Sequence, residues 1–261
     1  MNPLIPQRVI DQAYARDPVG AAAEYGAEFR TDVAGFLDAE WIDRAMLIEQ
    51  SELAPDDGQS YVGFVDPSGG RKDAFTLAIA HPEHDLVILD VCRGRTPPFN
   101  PSSVVEEYAA ILKRYGCDTV VGDRYSGQWV VEAFAKHKIQ YKVADQTKSE
   151  LYLEAEPLFA TGSARILDQR TLRLELLQLE RRTSRSGKDS VDHPPQGHDD
   201  WANAAAGALV LATAEGRRVP FDMWGGGLSD EDWEAQQREA AHAEIMTAIK
   251  SQGFWWPGDE R

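Results

Sequence analysis

The apolar positions of this chain follow two different periods, and the change between them divides it. Up to about residue 50 they recur at helical spacing, over Val9 to Tyr14, Ala21 to Phe29 and Glu40 to Glu49. The turn cluster Pro55-Asp56-Asp57-Gly58 ends that region, and we place the main boundary there. Beyond it the runs become short and nearly continuous. Tyr61 to Val65, Ala74 to Ala80 and Leu86 to Val91 read as three strands joined by turns around Gly69-Gly70 and at His81-Pro82-Glu83-His84, which predicts an antiparallel meander. The first strand ends at Asp66 and is apolar enough to be buried on both faces.

A helix follows. Ser103 and Glu106 fit a capping box, Val104, Tyr108, Ile111, Leu112 and Tyr115 share a face, and Gly116 suits the position just past the end. Thr119 to Gly122 predicts a fourth strand, ending at Asp123. A helix through Trp129, Val130, Ala133 and Phe134 leads to a fifth strand over 139–144. Further helices are predicted over 147–160 and 169–178, then a polar hairpin within Arg181 to Asp192, then an Ala-rich helix from Asp200 to Ala214. Three β elements followed by helix, strand, helix, strand is an α/β plan with a mixed central sheet, antiparallel strands first and parallel strands after, flanked by helices. The expected divisions are an N-terminal helical linker over 1–58, the α/β domain over 59–214, and an acidic tail over 215–261. In that tail Ser229 starts one helix beyond Gly225-Gly226-Gly227.

Charge first argues against a polyanionic partner, because the 261 residues carry a net −16. Its distribution changes that picture. Residues 1–60 hold 4 Lys and Arg against 12 Asp and Glu, and residues 222–261 hold 3 against 9, so the middle is nearly balanced and nucleic-acid binding there stays open. Residues 164–188 are locally basic, with Arg165, Arg170, Arg173, Arg181, Arg182, Arg185 and Lys188 against three acids. Cys92 and Cys117 lack metal-ligand spacing and do not imply a disulfide framework. No stretch approaches the ~20 apolar residues that span a bilayer.

Candidate chemistry lies in the acids. Asp66 and Asp123 end strands that a mixed sheet sets side by side, and Asp199-Asp200 open a late helix able to reach them. Alone, each reads as a turn former or a cap. Together they would repel one another unless a cation intervened, and oxygen ligands suit Mg²⁺ or Mn²⁺. Two such ions ~4 Å apart can activate water and stabilise the leaving oxygen of a phosphodiester.

Three ordered motifs carry a resemblance. Asp66-Pro67-Ser68-Gly69-Gly70-Arg71-Lys72-Asp73, Gly122-Asp123-Arg124 and Gly197-His198-Asp199-Asp200-Trp201-Ala202-Asn203-Ala204 are similar, in that order, to the acidic motifs of the C-terminal nuclease domain of phage terminase large subunits, a ribonuclease H-like group. The likeness covers roughly 60–214. The segment Tyr25-Gly26-Ala27-Glu28-Phe29-Arg30 also resembles the link that joins motor to nuclease in that family.

The resemblance implies a ribonuclease H-like fold and a metal-dependent endonuclease cutting double-stranded DNA during viral genome packaging. Asp66, Asp123 and Asp200 would be the catalytic metal ligands for two ions, Mg²⁺ or Mn²⁺, with Asp199 as a further ligand, Asp73 as an accessory acid and His198 orienting a ligand or a phosphate. DNA phosphates would meet Arg71, Lys72 and Arg124 beside the acids, and Arg181, Arg182, Arg185 and Lys188 around the hairpin. Implied partners are an ATPase motor, a small terminase subunit and a portal, with no membrane, in the cytoplasm of an infected bacterium. No G-x-x-x-x-G-K-[ST] motif occurs, so the chain reads as an excised domain or as a naturally motor-less protein. A Holliday-junction-resolvase-like nuclease and a non-catalytic DNA or portal docking module are the alternatives.

Overall fold

The computed structural model describes residues 5–16, 21, 25, 33–123, 128–184, 187–195 and 197–218. All of them fall within one unit, Met1–Arg218. The expected tail helix and most of the Ala21 to Phe29 segment lie outside the described residues.

The predicted meander is present as β3 (Val62–Asp66), β4 (Phe75–Glu83) and β5 (Leu86–Arg95), paired antiparallel in that order. The second turn is tighter than predicted. β4 continues through His81-Pro82-Glu83, and the chain reverses at His84-Asp85, with His84 at φ +55°. α3 (Pro101–Arg114) leads to β6 (Thr119–Gly122), and α4 (Gln128–Lys136) leads to β7 (Gln140–Val143). β6 pairs parallel to β3 on one side and to β7 on the other. The start of α3 corrects a detail. Asn100 rather than Ser103 is the N-cap, its side chain accepting from Ser102 N at 2.9 Å, because Pro101 takes the first helical position. Gly116 follows the helix at φ +70°, as its place past the end requires.

Two short strands of the main sheet escaped the sequence. β8 (Ala164–Leu167) pairs parallel to β5, and β2 (Met46–Leu47) pairs parallel to β8. Among the described residues this sheet is therefore seven-stranded, in the order β2-β8-β5-β4-β3-β6-β7. The helix expected over Val9 to Tyr14 is α1 (Gln7–Arg16), and the one expected over Glu40 to Glu49 stops earlier, as α2 (Ala39–Ala45), because the chain turns into β2. The polar hairpin is β9 (Glu180–Thr183) and β10 (Asp189–Asp192). A third strand, β1 (Val33–Gly35), joins it to form a separate small sheet. Residues 33–47, before the expected boundary at 55–58, thus add an edge strand to each sheet.

Burial on both faces explains the apolar runs. Along β4, Phe75, Leu77 and Ile79 face a core shared with α3 and α4, while Ala78 and Ala80 face the other core. There α5 (Lys148–Thr161), α6 (Arg170–Gln178) and α7 (Asp200–Arg218) pack. Small residues on β4 meet small residues on α7, where Ala202, Ala205, Ala206 and Leu209 are buried. Gly207 shows how close the approach is, since a Cβ there would come 2.5 Å from the Phe64 ring on β3. This packing fixes where the first residues of α7 stand.

Candidate metal centre

Asp66 is the last residue of β3. Its neighbour β6 runs parallel, with Val65 opposite Gly122, so Asp66 and Asp123 leave adjacent strands at the same edge. The first turn of α7 is tied to that edge. Thr76 Oγ1 donates to Asp200 O at 2.8 Å, and Ala74 N donates to Asp200 Oδ2 at 3.0 Å. One turn further on, buried Asn203 donates through Nδ2 to Asp66 Oδ2 at 2.8 Å. The acids from β3, β6 and α7 line one cavity of about 660 Å³. Asp73, Lys148 and His198 also line it.

Charge is strained at this edge. Burial, countered in part by the Asn203 bond and reinforced by Asp200, Asp123 and Asp199, pushes the Asp66 carboxyl up to about 7. Burial also raises Asp200, against the stabilising bond from Ala74 and with repulsion from Asp73 and Asp199. Such a pair favours a proton or a cation over two bare carboxylates.

Asp199 stands differently from its neighbour. It is 5% exposed, its Oδ2 accepts from the Tyr152 hydroxyl at 2.8 Å, and Lys148 Nζ lies 2.9 Å from the same oxygen. Lys148 also donates to Asp192 Oδ1 at 2.7 Å. Burial alone would lower the Lys148 ammonium, but attraction to Asp199 and bonds to Asp192 and Asp199 raise it instead. Beneath α7, Glu175 Oε2 accepts from Trp201 N at 2.8 Å and Ala202 N at 3.0 Å, capping the helix from below. Burial, offset by those bonds and added to by Asp200 and Asp199, pushes Glu175 up to about 7.

The remaining candidates divide. Asp73 and His198 are exposed at the cavity rim, with His198 Nδ1 3.9 Å from Asp73 Oδ1. Arg71 and Lys72 are exposed on the same β3–β4 turn. Arg181 and Arg182 are engaged within the fold. Arg181 pairs with Glu156 and lies over the Phe36 ring at 5.3 Å, and Arg182 pairs with Glu180 at 2.9 Å. Lys188 is exposed at the hairpin tip. Arg124 and Arg185 lie outside the described residues.

Sequence reasoning passed over Lys148, Asn203, Glu175 and His193. Two signals were available. Thr147 and Glu150 form a full capping box at the start of α5, which marks Lys148 as a first-turn residue. Asn203 stands three residues after Asp200, on the same helical face.

No family model matches the chain, and no curated protein matches it. Solved structures do. The large terminase nuclease from thermophilic phage G20c is similar over 70% of this chain and 99% of its own, with 18% identity and a TM-score of 0.57. Its magnesium-bound form matches 67% of this chain and 98% of its own, at 18% identity and a TM-score of 0.56. The HK97 bacteriophage large terminase matches over 81% of this chain and 52% of its own, at 14% identity and a TM-score of 0.56. The α/β architecture is thus the ribonuclease H-like one expected, with antiparallel strands leading into parallel ones. More narrowly, it is the fold of phage large-terminase nucleases. Among the described residues, no helix is long and apolar enough to cross a membrane.

Proposed function

We propose that the chain is a metal-dependent endonuclease that cleaves double-stranded DNA, and that it serves the cutting of concatemers during viral genome packaging. The observation that carries the reading is the convergence of Asp66, Asp123 and Asp200 from two parallel strand ends and a helix start into one cavity. Fold alone would not decide chemistry.

The donor set suits a hard divalent cation. All three groups are carboxylates, and the rise of Asp66 to about 7 marks a position where positive charge is wanted. Two divalent ions, Mg²⁺ or Mn²⁺, would be held by Asp66, Asp123 and Asp200, where they would activate water and stabilise the leaving oxygen of the phosphodiester. The magnesium bound by the G20c nuclease agrees with that chemistry.

The protein's part is positioning. Asn203 fixes one oxygen of Asp66, and Ala74 N fixes one oxygen of Asp200, so each carboxylate offers its other oxygen in a set direction. Arg71 and Lys72 would meet phosphates of the scissile strand from the rim, and Lys188 would meet the backbone further out. A motor, a small terminase subunit and a portal are the partners this role requires.

The test is incubation with supercoiled plasmid, linear duplex and a four-way junction in Mn²⁺, Mg²⁺ or EDTA, beside Asp66→Ala. Metal-dependent nicking and linearisation, lost in a folded Asp66→Ala, is the expected result. Cutting confined to the junction would favour a resolvase. A folded chain that cuts nothing with either metal would sink the nuclease reading.

A further inference from the structure

Beside the three acids lies a second group of ligand-type side chains. Asp192 ends the hairpin strand β10, His193 follows it, and Asp199 precedes α7; one donor atom from each lies within 4.8 Å of the others. His193 Nε2 is 3.8 Å from Asp192 Oδ1 and 3.9 Å from Asp199 Oδ1. A divalent ion could bridge a group so spaced. The structure places Lys148 there instead, its Nζ 2.7 Å from Asp192 Oδ1 and 2.9 Å from Asp199 Oδ2.

Lys148 is held in that position by more than charge. It is the first residue of α5, whose start is fixed by the reciprocal bonds of Thr147 and Glu150. Ser149 Oγ, one residue on, accepts from Val191 N at 2.9 Å and joins the same turn to β10, the strand that carries Asp192. Asp199 is fixed from its other side by the Tyr152 hydroxyl. An ammonium delivered by a packed helix to two carboxylates, one of them buried, does the electrostatic work of a bound cation. Any metal entering this group must displace it and then sit beside its positive charge.

We propose that Lys148 is a resident cation that withholds Asp192, His193 and Asp199 from divalent metal, and so confines ion binding to Asp66, Asp123 and Asp200. The second half of that statement rests on the metal-dependent reading above; the first half does not. The inference also separates the two adjacent acids. Asp200 faces the metals, while Asp199, neutralised by Lys148, braces the loop that leads into α7.

The test is Mn²⁺ uptake measured by isothermal titration calorimetry on the full chain, with folding checked by circular dichroism. Lys148→Met and Lys148→Gln should each take up one more Mn²⁺ per chain than the wild type, and Lys148→Arg should not. Adding Asp199→Asn to Lys148→Met should remove the extra ion. Unchanged ion count and affinity in folded Lys148→Met and Lys148→Gln would overturn the proposal. Asp66→Asn reads the other claim separately, since it should abolish the uptake seen in the wild type. A wild type with no uptake that depends on Asp66 would defeat the nuclease reading, while an extra ion in Lys148→Met that depends on Asp199 would still uphold the role of Lys148.

Discussion

Asn203 on α7 donates to Asp66 on β3 at 2.8 Å, and so links the two elements that supply the first and last acids of the centre. The bond selects one Asp66 oxygen and leaves the other for a ligand. Removing it in Asn203→Ala frees the carboxylate to rotate. Loss of such an outer partner typically costs about 10–100-fold in metal affinity or activity. We expect plasmid nicking to fall by that order, with partial recovery at high Mn²⁺. Nicking at wild-type rates across a Mn²⁺ titration would show that the bond orients nothing of consequence.

Two acids, half-buried Asp66 and buried Glu175, make metal-free stability depend on pH. Asp66 and Glu175 are each pushed up to about 7 in the fold, well above the ordinary carboxylate range. A group raised in this way contributes stability at low pH and loses it as pH rises through its folded value. Each can contribute up to about 1.4 kcal/mol per pH unit in that window. In EDTA the Tm should therefore fall between about pH 4 and pH 7, and level off above that. Glu175→Gln should flatten the slope while keeping a side-chain oxygen for Trp201 N and Ala202 N. A slope unchanged in Glu175→Gln would place the effect elsewhere.

Metal should reverse that loss. A ligand that binds only the folded state stabilises it in proportion to its saturation. At pH 8, with Asp66 ionised, Mn²⁺ should raise the Tm by several degrees; near pH 6, where protons compete for Asp66, it should raise it less. Thermal melts at both values, with and without Mn²⁺, measure the difference. An equal rise in Asp66→Asn would mean that the ion binds elsewhere.

Most of the architecture was readable because the apolar runs of β3, β4, β5, β6 and β7 are long enough to show burial; Asp66 and Asp123 stand where two of those runs stop, and Asp200 where the Ala-rich helix begins. β8 was not readable. Ala164-Arg165-Ile166-Leu167 is short and contains an arginine, and its place is set by pairing with β5, far away in sequence. The same limit hid Lys148 and Glu175. Their partners come from other elements, Asp192 and Asp199 for the lysine and the backbone of Trp201 and Ala202 for the glutamate, so neither forms a local pattern. Arg181 and Arg182 show the converse. Their sequence cluster suggests a phosphate grip, while the structure pairs each half-exposed arginine with an acid of the fold, Glu156 on α5 and Glu180 on β9, which the sequence did not indicate.

That contrast separates two kinds of basic residue. Arg71→Ala with Lys72→Ala should raise the KM for DNA and reduce the slope of log affinity against log salt by about 2, roughly one for each phosphate no longer neutralised. The fold should be unaffected, because both side chains are exposed. Arg181→Ala should instead lower the Tm, because it strips the partner of Glu156 and uncovers the Phe36 ring. Fluorescence anisotropy on a duplex at several salt concentrations, beside thermal melts, distinguishes the two. A smaller salt slope in Arg181→Ala at unchanged Tm would return that residue to the DNA surface.

Two glycines test whether α7 must sit where it does for the centre to work. A Cβ on Gly207 would come 2.5 Å from the Phe64 ring, mid-helix and beyond the first turns of α7; Phe64 stands two residues before Asp66 but is pinned on both sides by pairing to Ala78 and Val121. A Cβ on Gly94 of β5 would come 2.1 Å from the Trp201 ring, on the residue that follows Asp200. Overpacking of this kind costs typically about 1–3 kcal/mol, partly offset at Gly207 by the better helix propensity of alanine. Gly207→Ala and Gly94→Ala should both lower the Tm. They should differ in activity, because the indole displaced by Gly94→Ala is carried by the helical turn that carries Asp200, while Phe64 is not. We therefore expect Gly94→Ala to lose nicking activity well beyond what its unfolded fraction explains, with weaker Mn²⁺ binding, and Gly207→Ala to cut normally while folded. Equal specific activities in the two folded variants would show that the centre tolerates movement of the α7 start.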